Sequence, residues 1–208
     1  MKKSICLLSF IFITAILFAE KPGTLDSICE SLASNPNTTG DFTQIKTIQT
    51  NGRKLKSTGK FIIGRDGILW STEKPIYSSL VLTKTAVVQT AANGKKTVLS
   101  GKDNEIFKNI SETLTSVLSG NVTELKKNFY CEFTMNNNSE WVISLEPKDS
   151  TVASVMKKLV LSGSYKDFAV LTSLVMSEAS GNTISYEFMN QKYPEELSED
   201  EKQIFIVE

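Results

Sequence analysis

The sequence predicts one mainly β domain with a few short helices, of the sandwich or barrel type. Three observations carry this. Turn signals fall about every 8–12 residues between runs of β-forming residues. Three of them, Asn51-Gly52, Asp66-Gly67 and Asn93-Gly94, are the dipeptides that favour two-residue hairpin turns between strands. No composition break, low-complexity tract or linker divides the chain.

The first element is a leader. Lys2 and Lys3 precede an apolar run from Ile5 to Phe18, and Ala19 meets polar Glu20. A charged start, a short apolar stretch and a small residue read as a secretory signal peptide over residues 1–19, with the mature domain over 20–208. The run is shorter than the ~20 residues of a comfortable membrane span. Losing two lysines takes 23 basic residues to 21 against 23 acidic, a net charge of −2. Roughly 190 residues remain, enough for one domain with its own core. There is no basic surplus for nucleic acid. Histidine is absent, which removes the commonest general base and the commonest metal ligand. Cys29 and Cys131 remain in an exported chain and are open to two readings, a disulfide or two buried thiols.

Thr24 to Ala33 is a short amphipathic helix, with Leu25, Ile28, Cys29 and Leu32 on one face and Thr24 as its cap. Asn35-Pro36-Asn37 ends it. Strands follow over Asp41–Thr50 and Lys54–Arg65, then at Ile68–Trp70 and Leu80–Leu82, and at Ala86–Thr90 and Thr97–Ser100. The period then changes. Ile106, Phe107, Ile110, Leu114, Val117 and Leu118 make one face of a helix over Asp103–Ser119, stopped by Gly120. A helical turn over Val122–Lys127 precedes strands at Phe129–Met135 and Trp141–Glu146. Val152–Met156 reads as another helical turn. Lys158–Ser162, Val170–Glu178 and Thr183–Met189 are strands, the last two joined at Ser180-Gly181-Asn182. Ile204–Val207 reads as a closing strand.

No Gly-x-Ser-x-Gly, phosphate loop or metal-ligand cluster is present, so no catalytic residue, metal or cofactor is assigned and no enzyme activity is expected.

Four blocks in order carry a resemblance: Gly40-Asp41-Phe42-Thr43-Gln44; Ser57-x-Gly59-x-Phe61 with Arg65, Leu69-Trp70, Pro75 and Leu80-Val81-Leu82; the helix from Asn104 to Leu118 with Gly120 and Phe129; and Trp141-x-Ile143-x-Leu145-x-Pro147-Lys148-Asp149 with Ser162-Gly163-Ser164, Ser180-Gly181-Asn182, Ile184, Tyr186 and Phe188. Together they resemble the LolA-like outer-membrane lipoprotein carrier proteins across nearly the whole mature chain. The resemblance implies an incomplete, highly curved antiparallel β-barrel of about 11 strands with an α-helical lid. It implies a monomeric periplasmic carrier that takes lipoprotein acyl chains, or another lipid, from an inner-membrane release complex to an outer-membrane acceptor. A regulatory or sensor module of the same fold, recognising a lipoprotein or partner protein, is the second reading.

The expected cavity wall is Phe42, Phe61, Ile63, Trp70, Leu80, Leu82, Trp141, Ile143, Leu145, Tyr186 and Phe188, with Ile106, Ile110, Leu114 and Leu118 from the lid. Each of these also suits plain core packing. Arg65 matches a family arginine that bonds the lid, although Asp66 stands where the family has proline. Its other reading is an exposed strand-end charge.

Overall fold

In the computed structural model, which describes residues 23–83, 86–99, 113, 115–117 and 119–206, the turn signals and alternating runs become a single 11-stranded antiparallel sheet. The first meander is β1 (Thr38–Thr47), β2 (Lys54–Gly64), β3 (Gly67–Lys74), β4 (Ser78–Thr83), β5 (Val87–Thr90) and β6 (Lys96–Leu99). The second is β7 (Phe129–Met135), β8 (Glu140–Pro147), β9 (Met156–Tyr165), β10 (Ala169–Glu178) and β11 (Thr183–Lys192). β11 returns to pair with β1, so the spatial order is β6-β5-β4-β3-β2-β1-β11-β10-β9-β8-β7. β6 and β7 are the two edges, and the barrel is left open between them.

Two inward glycines bring aromatic rings close to the backbone. A Cβ on Gly59 would lie 2.8 Å from Phe42 Cζ, and one on Gly163 would collide with the Trp141 indole. A large ring laid over a glycine suits a strongly bent sheet.

Helix α1 (Leu25–Ala33) is capped by Thr24 in a reciprocal pair with Ser27, and buries Leu25, Ile28, Cys29 and Leu32. It lies on β10, where Ser31 Oγ accepts from Ala169 N at 2.8 Å. Helix α2 (Val122–Asn128) packs beside α1 and β7, and buries Val122 and Leu125. The short α3 (Ser150–Ala153) is capped by Asp149. It starts before the expected Val152, because the aspartate satisfies two first-turn N–H groups, while Met156 already belongs to β9. Most of the helix expected over Asp103–Ser119 lies outside the described residues. Its end is described: Thr113 and residues 115–117 are helical, and Gly120 adopts φ +72°. Asn121 N reaches Ser116 O at 2.8 Å, the closing bond of a glycine-stopped helix.

The tail corrects one expectation. Residues 204–206 form no strand; α4 (Glu199–Gln203) precedes them, capped by Ser198 and Glu201. Leu197, Ile204 and Phe205 fold onto the convex face over the row Ile62–Leu69–Val81–Val88. That row needs an apolar cover, and the capping box directs the chain back to provide one. No helix among the described residues is long and apolar enough to cross a membrane.

Candidate functional site

Strand register builds the concave face row by row. Phe42 lies opposite Phe188 and beside Gly59. Phe61, Trp70 and Leu80 form a second row, and Ile63, Ile68, Leu82 and Val87 a third. Tyr186, Leu174, Leu161 and Ile143 continue across the second meander. All the strand residues expected to line a cavity fall into one hydrophobic cluster: Phe42, Phe61, Ile63, Trp70, Leu80, Leu82, Trp141, Ile143, Leu145, Tyr186 and Phe188. The lid residues Ile106, Ile110, Leu114 and Leu118 lie outside the described residues.

The structure divides that face into two halves. Under the helices, Trp141, Ile143 and Leu145 are fully buried with Leu159 and Leu161. There the Trp141 indole donates to Ser164 O at 3.1 Å. This half is filled core. In the other half, Phe42, Phe61, Ile68, Leu82 and Phe188 are buried, but Ile63, Trp70, Leu80 and Tyr186 beside them are only half-buried. Sequence alternation finds both halves but cannot separate them, because a packed wall and an open one share the same period. Val87 and Ile184, also half-buried on this face, were missed; their position opposite Leu82 and beside Met176 is set by register alone.

Trp70 is the centre of the open half. Its ring centroid is 5.1 Å from Tyr186, 5.5 Å from Phe42, 5.8 Å from Phe188 and 6.0 Å from Phe61. Its Nε1 is buried and has no acceptor among the described residues. Burial among apolar atoms pushes the Tyr186 phenol up to about 12, while the residue as a whole is half-buried.

Beside this patch, a small pocket is lined by Leu32, Phe61, Ile63, Leu171, Phe188 and Tyr193, among others. Its volume is about 20 Å³, room for a water and far below an acyl chain. At the far end of the face, Lys46 Nζ donates to Glu178 Oε1 at 2.7 Å, while Asn182 and Ser180 donate to Oε2. Burial alone would raise the Glu178 carboxyl, but these hydrogen bonds together hold it below the ordinary value.

Arg65 is exposed in the β2–β3 turn and has no hydrogen bond or ion pair with a described residue. Cys29 and Cys131 are free thiols, the first buried and the second half-buried. Burial, then the charges of Asp26 and Cys131, push the Cys29 thiol up to about 12. No group of three or more His, Cys, Asp or Glu among the described residues is placed to hold a metal.

The molecule is thus an open antiparallel barrel whose concave apolar face is covered by the described helices over the second meander. The family model described as outer membrane lipoprotein carrier protein LolA matches residues 35–204, and the chain belongs to that family. Among solved structures it is similar to a DUF1329 family protein from Desulfovibrio piger, at 10% identity and a TM-score of 0.51, over 84% of this chain and 92% of that one. It is also similar to a LolA superfamily protein from Nitrosomonas europaea, at 11% identity and a TM-score of 0.47, over 88% of this chain and 98% of that one. No curated protein matches the chain.

Proposed function

We propose that this protein is a periplasmic, non-enzymatic carrier. It binds the acyl chains of a lipoprotein, or of another lipid, against the open half of the concave face and delivers them towards the outer membrane. The observation that carries this reading is the Trp70 patch. An aromatic cluster whose Trp70 and Tyr186 are half-buried, with a buried N–H that has no acceptor among the described residues, suits an apolar ligand that brings a carbonyl. An acyl ester or amide group has that acceptor at the head of its chain.

The energies favour opening. Seating about ten methylenes gains about 8 kcal/mol at ~0.8 kcal/mol each. Separating Trp70 from its ring neighbours costs roughly 0.5–1.5 kcal/mol per pair. The ligand term wins, so the narrow pocket widens as the cover moves aside and the chain enters. Arg65, on the rim and free of described partners, is the candidate latch for that cover.

Residues 1–19 act as the export signal in this reading. Native mass spectrometry of protein recovered from its own periplasm tests it. Co-purifying lipid or lipoprotein supports the carrier. A ligand-free protein that also takes up no fluorescent fatty acid refutes it, and a stable protein partner in place of lipid favours the regulatory module.

A further inference from the structure

Register places the β1–β2, β3–β4, β5–β6 and β10–β11 turns at one end of the barrel, where Thr47 faces Lys54, Thr72 faces Ser78, Thr90 faces Lys96 and Ser177 faces Thr183. Arg53, Lys54, Lys56, Lys74, Lys95 and Lys96 are all exposed there. None of these six makes an ion pair with a described residue, whereas Glu73 and Glu178 nearby are held by Lys60 and Lys46. The same end exposes large apolar side chains: Ile76 at 68%, Tyr77 at 46% and Leu55 at 44%. β2 also outruns its neighbour. Its pairing with β3 begins at Thr58, so Lys54 to Ser57 bond only to β1 and form a projecting lip.

The other end has the opposite sign. Asp66 lies in the β2–β3 turn beside Arg65, and the tail adds Glu195, Glu196, Glu199, Asp200 and Glu201 against one lysine, Lys202, which pairs with Glu196 and Glu199, so acidic residues outnumber basic ones there. The tail is tied to that end through Asn37, whose side chain donates to Glu195 O at 2.8 Å. A chain with 23 basic and 23 acidic residues therefore has a basic pole and an acidic pole.

We propose that the basic end docks on an anionic lipid bilayer. The lysines and Arg53 meet headgroup phosphates, and Ile76 and Tyr77 enter the interfacial layer. Charge complementarity selects this occupant. The cations are mostly single, flexible lysines spread over three hairpins, which suits a diffuse anionic surface better than a bidentate site. An aromatic and an aliphatic side chain at the tip belong at a membrane–water interface. The acidic pole turns the molecule, so the basic end arrives first. Acyl-chain binding is not required, because docking is read without cargo.

The test is sedimentation of the exported protein, its N-terminus fixed by mass, with phosphatidylcholine vesicles with and without phosphatidylglycerol. Binding is expected only with the anionic lipid and weakens at high salt. Each lysine near the surface contributes about fivefold, so Lys54→Gln/Lys56→Gln/Lys74→Gln weakens binding on the order of 100-fold. Ile76→Ser/Tyr77→Ser also weakens it but keeps the salt dependence. Unchanged circular dichroism shows that both variants fold. Equal binding to both vesicles, no binding to either, or binding indifferent to these substitutions overturns the proposal, as does capture of an acidic protein without vesicle binding.

Discussion

Trp70→Phe should leave stability nearly unchanged, whereas Trp141→Phe should be costly. Both remove the pyrrole half of an indole from the same apolar cluster. The lost burial and residual cavity cost about 1–3 kcal/mol at either site. At Trp70 the substitution also removes a buried donor without an acceptor, which recovers about 1–3 kcal/mol. The two terms are of the same size, so the net change centres near zero and stays within about 2 kcal/mol. Trp141 has no such offset. It is fully buried, its Nε1 bonds Ser164 O at 3.1 Å, and its ring lies on Gly163. There the lost bond adds to the cavity, for about 2–4 kcal/mol. Equilibrium urea unfolding followed by far-UV circular dichroism reads both values without using tryptophan emission. Equal costs, or a larger cost at Trp70, would refute the division into an open half and a filled half.

Three further outcomes follow from the same geometry. Gly163→Ala should cost more than about 3 kcal/mol, since its Cβ would collide with Val170 O and the Trp141 ring; a change under about 1 kcal/mol in the same unfolding assay contradicts that packing. Glu178 has a folded pKa below its ordinary 4.5, so its contribution is complete above that pH and is lost as pH falls through the folded value. Glu178→Gln should flatten that part of the acid limb of stability against pH, and an unaltered limb counts against the Lys46 pair. Arg65→Leu should change stability by no more than about 0.5 kcal/mol, because the side chain is exposed, yet slow cargo release to acceptor membranes; unchanged transfer removes the latch role.

Much of the fold is legible because its turns have local chemistry. Asn51-Gly52, Asn93-Gly94 and Ser180-Gly181-Asn182 all sit between paired strands, and Gly52, Gly94 and Gly181 adopt positive φ; at the fourth signal the turn falls one residue earlier, on Arg65-Asp66, and Gly67 already pairs with Gly64 in β3. Such turns announce themselves in a few residues. The tail did not. Ile204 and Phe205 alternate with nothing, and their β-forming character hid the Ser198–Glu201 capping box that starts a helix. Strand period put Trp70 and Trp141 on the same face, as observed, but the difference between them lies in what covers each. α1 to α3 shield the second meander, and helix placement is a long-range fact that no strand pattern encodes. The orphaned Trp70 Nε1 was equally unreadable, since a missing acceptor is a property of the whole neighbourhood.

If acyl chains lie against Trp70, a brominated fatty acid quenches its emission. The chain has two tryptophans, Trp70 in the open half and Trp141 in the filled one. Saturable quenching is expected in the parent protein and disappears in folded Trp70→Phe, whose remaining emission comes from shielded Trp141. Quenching that persists in Trp70→Phe, or is absent from both proteins, would contradict that placement.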